Sequence, residues 1–218
     1  RGLGLALARE LAARGWRLVI DARGADALER ACGELARRAD VAAVAGDVAD
    51  ASHREALVAA AGERVDLLVN NASVLGPSPQ PALADYRLDV LERVYAVNVL
   101  APLALVQLAI PRMGDGATVV NITSDAAVEP YEGWGGYGSS KAALEHLTRI
   151  LAAEHPRLRV HAVDPGDMRT QMQQEAFPGE DISDRPPPEA SVPGLLALIE
   201  GDRPSGRYAA RDLAPVAS

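Results

Sequence analysis

Five short runs rich in branched aliphatic residues, separated by longer amphipathic stretches, leave this chain few folds to adopt. The runs are Arg17 to Asp21, Val41 to Ala45, Leu67 to Asn70, Ala117 to Ile122 and Arg159 to Val163, and branched residues favour strands. Between and around them, Leu3 to Ala13, Ala25 to Ala39, Ser52 to Ala61, Leu88 to Met113, Gly138 to Glu154 and Gly194 to Glu200 carry helical periodicity. Strands that alternate with helices pair in parallel, and a parallel sheet needs helices on both faces. The expected fold class is α/β, a doubly wound parallel sheet in three layers.

The 218 residues suit one domain, 1–218, with a substantial core. Lys and Arg number 22 against 30 Asp and Glu, and the net charge of -8 repels nucleic acid and anionic membrane. Cys32 is the sole cysteine and has no internal disulfide partner, which fits a cytoplasmic setting. Val94 to Pro111 is uncharged for 18 residues but holds Asn98, Pro102 and Gln107. Those groups suit a buried helix of a water-soluble protein better than a membrane span. Five of the 15 prolines fall between Pro178 and Pro193, so 171–193 is expected as a substrate loop or lid.

The chain starts with a loop running straight into a helix, where a Rossmann-like unit needs a strand. That strand is central in the usual order. About 10 to 15 residues carrying it are therefore expected ahead of Arg1, and without them the sheet has a gap in its middle.

Several local patterns point to chemistry. Gly2-Leu3-Gly4 opens a helix, where bare backbone lets a phosphate approach free amides. Arg23 follows the strand ending at Asp21, where a guanidinium pairs with a ribose 2'-phosphate and a carboxylate with a 2'-hydroxyl. Tyr137 and Lys141 are four apart and share a helical face. A phenol with a pKa near 10 needs a shift of roughly 3 units, about 4 kcal/mol, to exchange protons near neutrality, and a nearby cation favours it. Ser124 closes the strand Thr118 to Ser124; its hydroxyl either caps a turn or donates to a carbonyl oxygen that becomes an alkoxide. Pro102 has no amide for the carbonyl of Asn98, so a kink is expected, which either frees this oxygen to hold a water or simply fits the helix to the sheet.

With these residues in order, the chain resembles the short-chain dehydrogenases/reductases, in their compact single-domain subtype, over nearly its whole length. The resemblance rests on Gly2-Leu-Gly4, Asp47-Val48, Asn70-Asn71-Ala72, Asn98, Ser124, Tyr137-x-x-x-Lys141 and Asp164-Pro-Gly166. It implies that Tyr137 is the acid/base, that Lys141 lowers its pKa and binds the nicotinamide ribose, that Ser124 orients the carbonyl and that Asn98 anchors a relay water. It further implies that Asp47 and Val48 contact adenine, that Asn70, Asn71 and Ala72 line the cofactor cleft, and that Pro165, Gly166 and Thr170 hold the carboxamide end. Ser73 stands where the family usually has glycine.

The slot of the NAD-selecting aspartate holds Ala22, and Arg23 takes the place of a basic residue in NADP-preferring relatives. The expectation is an NADP-dependent oxidoreductase, with NAD the lesser candidate, acting on a small-molecule carbonyl or secondary alcohol. A homodimer or other homo-oligomer is expected, and no metal, since the four histidines show no ligand spacing. The alternative is a non-catalytic NADP-binding sensor or scaffold of the same fold.

Overall fold

The computed structural model describes residues 1–213. The chain begins with α1 (Gly2–Ala13), β1 (Leu18–Ala22), α2 (Ala25–Leu35), β2 (Val41–Ala45), α3 (Ala51–Ala61) and β3 (Leu67–Asn70). It continues with α4 (Leu88–Tyr95), α5 (Ala101–Ala109), β4 (Thr118–Ile122), α6 (Gly135–Glu154) and β5 (Arg159–Asp164). Short 3-10 turns aside, α7 (Gln171–Ala176), α8 (Val192–Ile199) and β6 (Gly206–Ala209) follow. The five expected strands lie within one residue of their sequence-based limits; β6, four residues around one glycine, was too short to stand out.

Every strand pair is parallel, and helices cover both faces. The sheet has the expected gap in its middle. β1 pairs with β2, while β3, β4, β5 and β6 form a second sheet in that order. Among the described residues no strand precedes α1, so nothing pairs with the facing edges of β1 and β3. Both edges instead line one cavity of about 1690 Å³, through Leu18 and Ile20 on one side and Leu67 and Val69 on the other.

Alternation along β4 sets the layers. Val119 packs with Val106, Leu151 and Val160 against α5 and α6. Val120 faces the other way, into the cluster of Leu3, Leu7, Leu195 and Leu198 from α1 and α8. Each valine is fully buried, a gain of about 1.5–3 kcal/mol apiece.

The expected helix from Leu88 to Met113 runs without a gap to Arg112 but changes its winding midway. A π turn spans Ala96–Leu100, and the Ala101 amide reaches back five residues to the Ala96 carbonyl. Pro102, with no amide of its own, follows at once, so the ladder is interrupted where the proline requires it. Leu88–Arg112 is long and apolar enough to cross a membrane, with half of its most apolar window buried; its inner side packs on α3, α6 and β3. The proline-rich stretch is more ordered than a plain loop. Thr170 caps α7, its Oγ1 accepting from the Gln173 amide at 3.2 Å, and Ser191 Oγ donates to the Pro165 carbonyl at 2.8 Å.

Candidate active site

The chain gathers its site where strands end. Arg23 follows β1, Asp47 and Val48 follow β2, Asn71 and Ala72 follow β3, Ser124 follows β4, and Pro165 and Gly166 follow β5; all line the large cavity. Open parallel sheets bind ligands at these carboxyl ends. Gly2, Leu3 and Gly4 bring the first turn of α1 to the same cavity, and Asn70, Tyr137, Lys141 and Thr170 complete it.

Glycine is needed at α1. Gly2 has φ +59, and a Cβ on Gly4 would stand 2.7 Å from Asn71 Nδ2. The helix therefore approaches the β3 loop backbone-first, with first-turn amides free of intrahelical partners, the donor set that a diphosphate requires. On these observations the cleft fits a dinucleotide.

At its outer end Asp47 accepts from the Ala49 amide at 2.9 Å and pairs with Arg93. Burial opposes its ionisation, but that amide, Arg93 and the more distant Arg23 together hold its carboxyl below the usual range. Asp21 also lines the cavity, yet its carboxylate meets His53 Nε2 at 3.4 Å. Burial, only partly offset by His53, raises its pKa. Arg23 is exposed at the cavity edge.

At the inner end, α6 begins at Gly135, three residues before its expected start, so Tyr137 lies in its first turn and Lys141 one turn on. Lys141 is 2% exposed; its Nζ donates to the Ile122 carbonyl at 2.8 Å and stands 5.5 Å from the Tyr137 ring centroid. Burial lowers the ammonium pKa to about 8. The resemblance had Lys141 drawing the phenol down, but in this structure the phenol stands above its ordinary value. Burial raises it most, hydrogen bonds with Ser124 and Ser73 pull it down, and Asp164 and Asp125 push it up. The ammonium's bond to the Ile122 carbonyl leaves two of its three donors for other partners.

Ser124 does cap a turn: its Oγ accepts from the Ala126 amide at 3.2 Å and donates to Asp125 Oδ1 at 2.9 Å. The capping reading therefore holds, and Ser124 lines the same cavity as Tyr137. Asn70 lines the cleft but is spent partly on the core, with Nδ2 donating to Asn121 Oδ1 at 2.8 Å.

Asn98, unlike the other expected site residues, does not line the cavity. Its Oδ1 accepts from the Val74 amide at 2.9 Å and Ser73 Oγ at 3.0 Å, and its Nδ2 donates to the Val74 carbonyl at 2.9 Å and Ser140 Oγ at 3.0 Å. The side chain ties the β3 loop to α6. Ser73 adopts no positive φ, so the missing glycine leaves no strain there.

Three features were missed or undervalued in the sequence. Ser73 donates to Asn98 Oδ1 and lines the cavity beside Tyr137, whose pKa it helps to lower. Trp134, on the cavity wall, meets Tyr137 and Phe177 at ring-centroid distances of 5.9 Å. Glu145, buried four residues after Lys141 on the same helical face, takes a hydrogen bond from Thr123 and an ion pair from Arg207; that spacing was a readable signal.

A Rossmann-like fold with serine, tyrosine and lysine at one strand-end cleft defines a nucleotide-dependent α/β oxidoreductase. The profile of the family described as short chain dehydrogenase matches residues 1–181, and the chain belongs to that family. It is 36% identical over 160 residues to a benzil reductase ((S)-benzoin forming) of Saccharomyces cerevisiae, covering 69% of this chain and 59% of that protein. To sepiapterin reductase of Mus musculus it is 35% identical over 193 residues, 81% of this chain and 74% of that one. A short chain dehydrogenase of Shigella flexneri, solved in complex with NADP, superposes with a TM-score of 0.88 at 26% identity, over 96% of this chain and 92% of that one.

Proposed function

We propose that this protein is an NADP-dependent oxidoreductase that moves a hydride between the nicotinamide and a carbonyl or secondary alcohol carbon, with Tyr137 as general acid/base. One observation carries the reading: Ser124, Tyr137 and Lys141 meet on the wall of the same cavity whose other end is opened by the glycines of α1. The NADP-bound relative supports the cofactor, and exposed Arg23 supplies the cation that a 2'-phosphate needs.

When bound, the nicotinamide supplies or receives the hydride. The protein's own groups handle the proton. Ser124 turns its hydroxyl from Asp125 toward the substrate oxygen, a bond that strengthens as negative charge builds there. The Tyr137 phenol gives its proton to that oxygen in reduction and takes one back in oxidation. Lys141, the buried cation one helical turn away, favours the phenolate left behind. Trp134 gives the cavity wall an aromatic face on which an apolar substrate rests. A cytoplasmic, homo-oligomeric protein is part of this proposal, consistent with a single free cysteine.

The test is NADPH oxidation with a panel of aryl and alkyl ketones. Tyr137→Phe is expected to bind NADPH as wild type does and to lose about 10²–10⁴-fold in turnover. Unchanged turnover would discard the mechanism, whereas NADPH binding with no oxidation of any panel member would favour the sensor.

A further inference from the structure

We propose that Arg207, seated on Glu145, is a positioning residue for this site, holding the ends of β4 and β5 from behind. The inference rests on the oxidoreductase reading. Arg207 comes from β6, the strand that the sequence did not announce, and it touches three elements at once. Its Nε donates to Glu145 Oε1 on α6 at 2.9 Å. One terminal nitrogen donates to the Ser124 carbonyl at 3.4 Å and lies 3.6 Å from Asp164 Oδ2. Glu145 answers from the other side, accepting from Thr123 Oγ1 at 2.8 Å.

The residues so held are the ones that matter to the cleft. Ser124 faces the phenol, and Asp164 immediately precedes Pro165 and Gly166 on the cavity wall. Arg207 itself lies outside that cavity and lines a separate one of about 180 Å³ on the other side of Glu145. It therefore acts through Ser124 and Asp164 rather than on substrate.

Stability alone gives a weak reason for such a pair. Glu145 is 7% exposed, but the Arg207 side chain keeps 34% of its surface open to solvent, and an ion pair with one partner so exposed contributes little to stability. A planar guanidinium offers something apolar groups lack, several donors in a fixed fork that bind one carboxylate and one carbonyl at set angles.

Charge gives a second consequence. The phenol is faced by Asp125 from its loop, Asp164 from β5 and Lys141 from α6, while Arg207 and Arg211 supply the positive charge felt by Asp164. Without Arg207, Asp164 opposes the phenolate with less compensation.

The experiment compares Arg207→Ala, Arg207→Lys, Glu145→Gln, Arg207→Ala/Asp164→Asn and Tyr137→Phe with wild type, in the whole protein, using NADPH and a ketone that wild type reduces. Arg207→Ala is expected to lower kcat about tenfold, as a displaced serine would, to leave the Kd for NADPH within about threefold, and to move the limb of the kcat–pH profile set by Tyr137 alkaline by about 0.5 unit. Adding Asp164→Asn should return that limb without restoring kcat. Arg207→Lys should keep the limb, because the charge remains, and still lose rate, because the fork is gone. Should Arg207→Ala not fold, Arg207→Lys and Glu145→Gln decide: reduced kcat in both sustains the proposal, and wild-type kcat in both overturns it. A folded Arg207→Ala with wild-type kcat and pH profile also overturns it, even if it melts earlier. If Tyr137→Phe is inactive while the Arg207 variants are unimpaired, only the positioning role falls; if Tyr137→Phe is fully active, the acid/base reading falls and this role with it.

Discussion

The Lys141 ammonium is bonded to the backbone carbonyl of Ile122 at 2.8 Å, in a place where the side chain is 2% exposed. A charge so placed is there for chemistry and weakens the fold. Lysine in an unfolded chain titrates near 10.4, while burial brings Lys141 to about 8. The folded state thus holds its proton less tightly. Above about 10.4 both states are neutral and no penalty exists; it grows as pH falls toward 8 and is full below that. Lys141→Met should therefore raise unfolding free energy at pH 7 by about 1–3 kcal/mol, lose that advantage by pH 10.5, and cut turnover at least about 100-fold. Urea unfolding at the two pH values, beside an NADPH assay, checks it; a Met variant less stable than wild type at pH 7 would contradict the argument.

Asn98 predicts the opposite balance. Four hydrogen bonds converge on a side chain that is 1% exposed. Truncation leaves the Val74 amide and carbonyl without these partners, each at about 1–3 kcal/mol. Asn98→Ala should lose about 2–4 kcal/mol in denaturant titrations. A loss below about 1 kcal/mol would mean that the loop after β3 is not held from α6.

These two residues also mark what the sequence could disclose. Tyr137, Lys141 and Ser124 were legible because their spacing and their place at a helix start and a strand end are local properties. An irregularity of the helix at Pro102 was legible too, since a proline deletes a donor wherever it stands. The use of the Asn98 side chain was not, because its partners lie 24 and 42 residues away and nothing local predicts which loop returns to it. Likewise β6 and Arg207 join the site only after four parallel strands have been laid side by side. The long-range pairing of Arg207 with Glu145, 62 residues apart, has no periodicity to betray it. The split of the sheet was foreseen from the lack of a strand before α1, but not that the gap would run into the cleft as one cavity.

Cofactor choice turns on Arg23. Asp21 is the only carboxylate on β1 and is engaged with His53, which leaves exposed Arg23 to meet the ribose end of the cofactor. A guanidinium–phosphate bond is charge-assisted and present with NADP alone. Arg23→Ala should raise the Kd for NADPH about tenfold or more and shift that for NADH by less than about threefold. Fluorescence titration of both nucleotides reads the ratio; an unchanged ratio removes Arg23 from selectivity.

His161 gives the protein an acid-sensitive point far from catalysis. It lies in β5 with no exposed surface, neither ring nitrogen has a partner among the described residues, and its ring meets Tyr208 edge-on at 5.7 Å. Burial, and then the charge of Arg159, lowers its pKa to about 4. In the unfolded chain it titrates near 6.5, so below that pH the unfolded state gains a proton that the folded state refuses. The stability that His161 supports is complete above about 6.5 and is lost progressively down to about 4, by about 3 kcal/mol in all. His161→Phe removes the titration and the two unpartnered nitrogens while keeping a ring against Tyr208. Carboxylates such as Asp21 and Asp164 titrate alike in both chains and cancel in the comparison. Unfolding free energies at pH 7.5 and 4.5 should show the variant gaining about 2–3 kcal/mol on wild type over that interval; parallel pH dependences would show that the imidazole finds a proton partner in the folded protein.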